Sequence, residues 1–354
     1  MQAGDPDVSA DHVIERIRVL IGDPSVYIEI VRTSVWFVNQ AYATQYSQGR
    51  VFCGGDAVHR HPPSSGLGLN TCVQDAHNLA WKLAFAVKGH AGPKLLESYS
   101  AERAPIGKQI VLRANQSRLD YAALNACFRV PHTENPVAAG IALFRDPGPE
   151  GVARRRAVQD AIDLKQTEFN AQGVEMNQRY DSSAVIAERK ADPESWSRDP
   201  VLYNQPTTRP GAKIPHAWLV GRDGKRVSTL DLTGRGLFTV VTGLAGSIWK
   251  EAVQKLDLPF LKSVVIGEPE AQDLYCEWQR IREVEESGAI LVRPDGFVAW
   301  RKFAAMEMAA SAEAELSEAL CSILDVRELV EILRQPSVST GENARQTRGL
   351  ALFV

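Results

Sequence analysis

The stretch from Gly49 to Ala84, GRVFCGGDAVHRHPPSSGLGLNTCVQDAHNLAWKLA, constrains the fold more than any other, because within it the hydrophobic period changes. Val51-Phe52-Cys53 reads as a short apolar strand that ends at Gly54-Gly55. From Thr71 onward Ala76, Leu79, Ala80, Leu83, Ala84 and Val87 recur at helical spacing, with Gln74, Asp75, Asn78 and Lys82 on the other face. That pattern puts Asp75 and Asn78 on a solvated surface. Gly89 stops the helix, and Gly92-Pro93 opens a second one that runs through Leu95, Leu96 and Tyr99 and past Pro105. Gly54 and Gly55 lack the Cβ that would hold a ligand away from the backbone. Asp56 follows at the strand's carboxyl end, where open α/β sheets place their ligands, and a carboxylate there accepts hydrogen bonds from sugar-like hydroxyls. Pro62-Pro63 stiffens the next turn. Gly66-Leu67-Gly68-Leu69-Asn70 then enters the helix, whose start presents unpaired N–H groups and partial positive charge.

The rest of the chain is organised around this core. Tyr27 to Arg32 and Val35 to Tyr42 read as two strands joined at Thr33-Ser34. Residues 146–210 are polar and proline-punctuated, with one helix-like stretch from Ala153 to Phe169, and read as a connection draped over a surface. After Pro210 come strands at 217–220, 237–242, 261–266, 289–292 and 297–301, with helices at 247–256 and 312–333: an α/β domain of its own. Arg293, Asp295 and Arg301 are assigned to a turn and a surface, and Glu102 with Arg103 to a structural pair. The tail from Gln335 reads as frayed. The net charge is −3 with scattered basic residues, which argues against a nucleic-acid groove, and no apolar run reaches the roughly 20 residues of a membrane span. Five widely spaced cysteines without a C-x-x-C pair, and no secretory signal, read as reduced thiols in a cytoplasmic protein.

The set Gly55-Asp56-Ala57, His59, Pro62-Pro63, Gly66-x-Gly68-x-Asn70 and the helix that follows resembles the second FAD-binding motif of the single-component flavoprotein aromatic hydroxylases, the p-hydroxybenzoate hydroxylase superfamily. The phenol hydroxylase and 2,4-dichlorophenol monooxygenase branch is the more similar one. The likeness extends upstream to Trp36-Phe37-Val38-Asn39 and Tyr42-Ala43-Thr44, and downstream to the run from Leu96 to Pro105. It reaches Ser228 to Leu232 with Gly236, Gly288 to Gly296, and Val298 to Arg301, and is weak across 146–210.

The resemblance implies an α/β (α+β) fold in which residues 1–145 are part of an FAD-binding and substrate domain. Residues 146–210 then connect to a thioredoxin-like domain at 211–334, followed by a tail at 335–354. It implies that Gly55 and Asp56 meet the ribityl chain of FAD, and that the backbones of Gly66, Leu67, Gly68, Leu69 and Asn70 approach the flavin ring. Pro63 lies beside that ring. Trp36 and Tyr42 are candidates for an aromatic substrate pocket, with ordinary sheet core as the alternative. The implied reaction is hydroxylation of a small phenolic substrate with NADPH or NADH and O2, the flavin carrying the chemistry and no side chain acting as a nucleophile.

Two expected elements are not found. Gly66-x-Gly68 and Gly234-x-Gly236 both lack the third glycine of the G-x-G-x-x-G turn that grips the ADP part of FAD, and the family's middle Asp-Gly element is also missing. The chain is therefore expected to carry the C-terminal portion of such a site, to hold FAD weakly by itself, and to pair as a homodimer or with a complementing N-terminal half. A second reading is a non-catalytic interaction module derived from such an enzyme. A third, ranked last, is a metal-dependent hydrolase using Asp56, His59, His61 and His77.

Overall fold

A computed structural model describes residues 7–188, 193–305, 309–329 and 351–353. The chain divides into a unit ending at Asn39 and a second beginning at Gln40. In the first, helix α1 (Ala10–Ile21) ends where Gly22 turns left-handed (φ 78°) and its N–H bonds the Arg18 carbonyl. The two strands expected between Tyr27 and Tyr42 do not form there: residues 27–40 have no regular secondary structure. A strand is stabilised by its neighbours, and no ladder partner pairs with this run among the described residues. Val31 is 92% exposed and Trp36 63%.

The second unit opens with short strands. β1 (Ala41–Tyr42) pairs antiparallel with β4 (His59–Arg60), and β2 (Ser47–Gln48) with β3 (Val51–Cys53). Helices α2 (Leu67–Val87) and α3 (Pro93–Cys127) follow, joined by a turn in which Gly89 is left-handed. Pro105 lies inside α3, and both it and Ala101, whose carbonyl loses its intrahelical partner, face solvent, so water satisfies the break. Phe52, Tyr46, Val58, Leu79 and Tyr99 form the core between the strands and the two helices.

Helices α4 (Pro136–Arg145), α5 (Pro149–Leu164), α6 (Gln166–Phe169) and α7 (Gln172–Met176) follow. The connection expected to drape over the surface is partly interior: Gln178, Tyr180 and Ala184 are buried, and the Tyr180 ring stacks on Phe297 at 4.0 Å.

The C-terminal region starts with hairpin β5 (Trp218–Val220) and β6 (Arg226–Ser228). A capping box of Ser228 and Asp231 then starts the one-turn helix α8 (Thr229–Leu232). β7 (Phe238–Gly243), α9 (Ser247–Leu256) and β8 (Leu261–Ile266) form a parallel strand–helix–strand unit. After α10 (Glu277–Ile281), β9 (Ala289–Val292) and β10 (Val298–Lys302) complete a sheet of order β10-β9-β7-β8, and α11 (Ala309–Leu324) packs on it. α11 ends at Leu324, where Asp325 turns left-handed (φ 55°), and the end expected at Leu333 lies outside the described residues. Most of the tail lies outside the described residues; Ala351–Phe353 form strand β11, parallel to β3.

Alternation along β7 sends Phe238 and Val240 to one face of the sheet and Val241 to the other. On the first face they meet Trp249 of α9 and Leu316 and Leu320 of α11, and also Trp81 and Phe85 of α2. The Trp81 ring stands edge-on to Phe238 at 5.8 Å, so α2 and the C-terminal sheet share one core. Trp81→Ala is expected to lower stability by about 3–5 kcal/mol in urea unfolding followed by circular dichroism, with α2 and the sheet melting in one transition. Two separate transitions, or a loss under about 1 kcal/mol, would contradict the shared core.

Candidate functional site

The end of β3 is held from both helices. The Tyr99 hydroxyl of α3 donates to the Cys53 carbonyl at 2.8 Å, and the Gly55 N–H donates to Asp75 Oδ2 of α2 at 3.1 Å. Two glycines are required here: a Cβ on Gly54 would stand 3.1 Å from the Tyr99 oxygen, and one on Gly55, which has φ 61°, 3.1 Å from Cys72 Sγ. Asp56 follows in a single 3-10 turn, exposed, with no side-chain hydrogen bond among the described residues. Burial, together with the charges of Asp56 and Asp75, pushes the neighbouring Cys72 thiol up, so it stays protonated.

The next loop is anchored on α3. Ser64 Oγ donates to the Ala114 carbonyl at 2.7 Å, and Ser65 and Ser117 hydroxyls meet at 3.0 Å. His61 Nδ1 bonds the Pro62 carbonyl at 2.8 Å. Ser65 and Gly66 are both left-handed, and α2 starts immediately after them at Leu67, one turn earlier than the apolar period alone predicts. No side chain caps this terminus. Leu67 is buried and anchors it, while Pro63, Gly66, Leu69 and Asn70 face outward. The loop thus presents unpaired N–H groups and the positive end of a long helix at an open surface.

Beneath these two turns lies a chain of buried charge. Asp75 Oδ2 also accepts from His59 Nε2 at 2.8 Å, and Oδ1 accepts from Arg103 Nε at 2.7 Å. Arg103 continues to Tyr180 at 3.0 Å and Gln178 at 3.1 Å. One turn along, Glu102 accepts from Lys82, Asn78 and Ser182, and in bidentate fashion from Arg293 at 2.6 and 2.9 Å. Arg293 also binds Asp295, which accepts from the Trp81 indole N–H at 3.1 Å. Burial alone would raise the carboxylates; the Arg293 and Lys82 charges hold Glu102 well below the usual range, and His59 and Arg103 do the same for Asp75. Burial pulls the Lys82 ammonium down to about 8 against the attraction of Glu102.

Several expectations are corrected by this geometry. Asp75 and Asn78 are 1% and 2% exposed, not solvated, because the face they share with Lys82 meets α3 and the β9–β10 turn. Arg293 and Asp295 are buried ion-pair members, not surface residues. Glu102 and Arg103 point into different clusters and do not pair with each other. His59 binds Asp75, and among the described residues no three His, Cys, Asp or Glu side chains gather to hold a metal. Arg301 bridges Glu188 and Glu283 at the edge of the sheet. Tyr42 lies on β1, 36% exposed, and Trp36 in the first unit. The signal that could have exposed the burial is the coincidence of two charged rows, Asp75/Asn78/Lys82 and Glu102/Arg103, on helices that pack together.

A family profile described as FAD binding domain matches residues 1–114, and one described as aromatic-ring hydroxylase, C-terminal, matches residues 207–326. The chain is 45% identical to a 2,4-dichlorophenol 6-monooxygenase of Delftia acidovorans, over 91% of this chain and 55% of that protein. It is 46% identical to a phenol 2-monooxygenase of Pseudomonas sp. (strain EST1001), over 89% and 52%. The chain thus spans about half the length of the curated relatives it matches. Among solved structures it is similar to the flavin-dependent monooxygenase PieE in complex with FAD and substrate, at TM-score 0.82 and 41% identity, over 92% of this chain and 56% of that one. A complex of aklavinone-11 hydroxylase with FAD and aklavinone matches at TM-score 0.67 and 28% identity, over 91% and 52%.

The buried carboxylates set an acid limit on stability. Glu102 and Asp75 titrate lower in the folded chain than at their ordinary 4.5 and 3.8, so on acidification the unfolded chain takes up protons first. Their contribution is fully present at neutral pH and is lost as pH falls below about 4.5 toward the folded values. The urea midpoint is expected to drop steeply between about pH 5 and 3, and less steeply in Glu102→Gln. The variant itself should be less stable at pH 7 by about 3–5 kcal/mol, since it leaves Lys82 and Arg293 without their shared counter-charge. Equal acid slopes in the two proteins would remove Glu102 from the account.

Proposed function

From a chain whose residues 1–114 match the FAD binding domain family and whose residues 207–326 match the aromatic-ring hydroxylase C-terminal family, we propose a role in FAD-dependent hydroxylation of a small phenolic substrate, with NADPH or NADH and O2 as co-substrates. The observation that carries this reading is the uncapped N-terminus of α2, entered through left-handed Ser65 and Gly66 and adjoining the turn of Gly54 and Gly55. At Gly66 the backbone borders open space on the side a Cβ would occupy, and the residues present fit the ring and ribityl parts of FAD.

When bound, the flavin supplies the redox chemistry and the activation of oxygen. The chain's own part is binding and electrostatics. In this reading the Asp56 carboxylate accepts hydrogen bonds from ribityl hydroxyls. The N–H groups from Leu67 to Asn70 and the helix dipole stabilise the negative charge that gathers on the pyrimidine edge of the ring upon reduction. Pro63 borders the ring and sheds no N–H toward it. Tyr42, and Trp36 in the first unit, remain the candidates for contact with the aromatic substrate. A cytoplasmic location, where reduced nicotinamide is supplied, belongs to the same reading.

The test is direct. The purified protein is mixed with FAD, desalted, and its visible spectrum recorded; NADPH and NADH oxidation are then followed with and without a phenol. A saturable change in FAD fluorescence on mixing, as expected of a chain that holds the flavin weakly, and phenol-stimulated oxidation in the presence of added FAD are the expected results. Asp56→Ala should weaken FAD binding by about tenfold or more, the worth of a lost charge-assisted hydrogen bond, with little change in melting temperature because Asp56 is exposed and unpartnered. A folded protein that emerges colourless, with no change in FAD fluorescence on mixing, would overturn the reading.

A further inference from the structure

We propose that Asp75 and Tyr99 are positioning residues for the flavin-binding turn: from α2 and α3 they clamp two peptide groups of Cys53–Gly55 and so fix the direction of the Asp56 carboxylate. The proposal rests on the reading of Asp56 as a flavin ligand and adds to it the residues that hold it in place.

The geometry carries it. Tyr99 Oη donates to the carbonyl of Cys53 and Asp75 Oδ2 accepts the N–H of Gly55, so the two peptide groups flanking Gly54 are each tied to a different helix. Gly55 sits at φ 61°, and the segment from Gly54 to Asp56 has no neighbouring strand hydrogen bond to hold it. Apart from the Val58 N–H on the Gly55 carbonyl at 3.0 Å, these two side chains supply the hydrogen bonds among the described residues that restrain the turn against the wide range that successive glycines allow. Asp75 is itself immobilised: both its oxygens are used, Oδ2 by Gly55 and His59, Oδ1 by Arg103. Arg103 is in turn held by Tyr180, whose ring stacks on Phe297 of the C-terminal region. The clamp is thus referenced to the rigid part of the molecule. Burial, followed by the Asp75 charge, pushes the Tyr99 phenol up, so it stays a donor at any working pH. A carboxylate is needed at position 75, because three N–H donors converge on it; an asparagine offers one oxygen and turns an N–H₂ toward a donor.

The test compares the full chain with Asp75→Asn and Tyr99→Phe by amide hydrogen exchange and by FAD titration. The clamp predicts that in Asp75→Asn the amide of Gly55 exchanges faster than in the wild type by about tenfold or more beyond any quickening at Val240 in β7, with FAD affinity lower by a similar factor. Tyr99→Phe keeps the packing and should shift both readouts in the same direction; it decides the matter alone if Asp75→Asn does not fold. Exchange that quickens equally in the turn and in β7 would reduce both residues to scaffold and overturn the proposal. So would local quickening with unchanged FAD affinity. A wild-type chain that binds no FAD overturns the underlying functional reading, whereas one that binds FAD as tightly as the folded variants overturns the clamp alone.

Discussion

The carboxylate of Glu102 has no contact with water, and the packing of α2, α3, the segment near Ser182 and the β9–β10 turn depends on it. An ionised carboxylate in such a place is tolerated only if its lone pairs are met, and here Lys82, Asn78, Ser182 and both terminal nitrogens of Arg293 meet them. Such a network adds little net stability compared with apolar packing of the same volume. Its effect is on specificity, because any sliding of α2 over α3, or rotation of the β9–β10 turn, strands at least one charge. One turn away, Asp75 with Arg103 repeats the arrangement, and its free edge is the contact to Gly55.

This placement gives a division of labour. The buried charges register the helices, and the aromatic core of Trp81, Phe85 and Phe238 joins α2 to the C-terminal sheet. Gly66 is exposed beside the uncapped start of α2, and the dipole of that long helix supplies fixed positive potential there. A surface of that kind suits a cofactor that brings its own reactivity, because it orients and polarises without offering a competing nucleophile.

Most of the motif was legible because its physics is local. The period change between Cys53 and Thr71, the glycine pairs and the prolines announce a strand, a tight turn and a helix entry whatever lies around them. Most strands after Pro210 were legible for the same reason, and α9 was bounded to the residue, whereas the short β6, α8 and α10 carry too few residues to show a period. The burial of Asp75, Asn78, Arg293 and Asp295 was not, since a charged helix face looks solvated until its counter-charges are known. Those counter-charges are remote: Asn78 and Asp295 are 217 positions apart. Tyr27 to Tyr42 shows the complementary limit. Its alternation of β-branched and aromatic residues is a preference for a pleated surface, and only Ala41–Tyr42 have a partner strand to realise it.

The surface proposed to face the flavin is the outward start of α2 with the adjoining glycine turn, held by buried charge. Backbone chemical-shift mapping during titration of the isotopically labelled chain with FAD tests it most directly. The account predicts the largest shifts at Gly55, Asp56 and Gly66 to Asn70, with the C-terminal sheet silent at Val240 and Ile290. Saturable shifts centred elsewhere, such as around His77 and Lys213, or none at any flavin concentration, would contradict it.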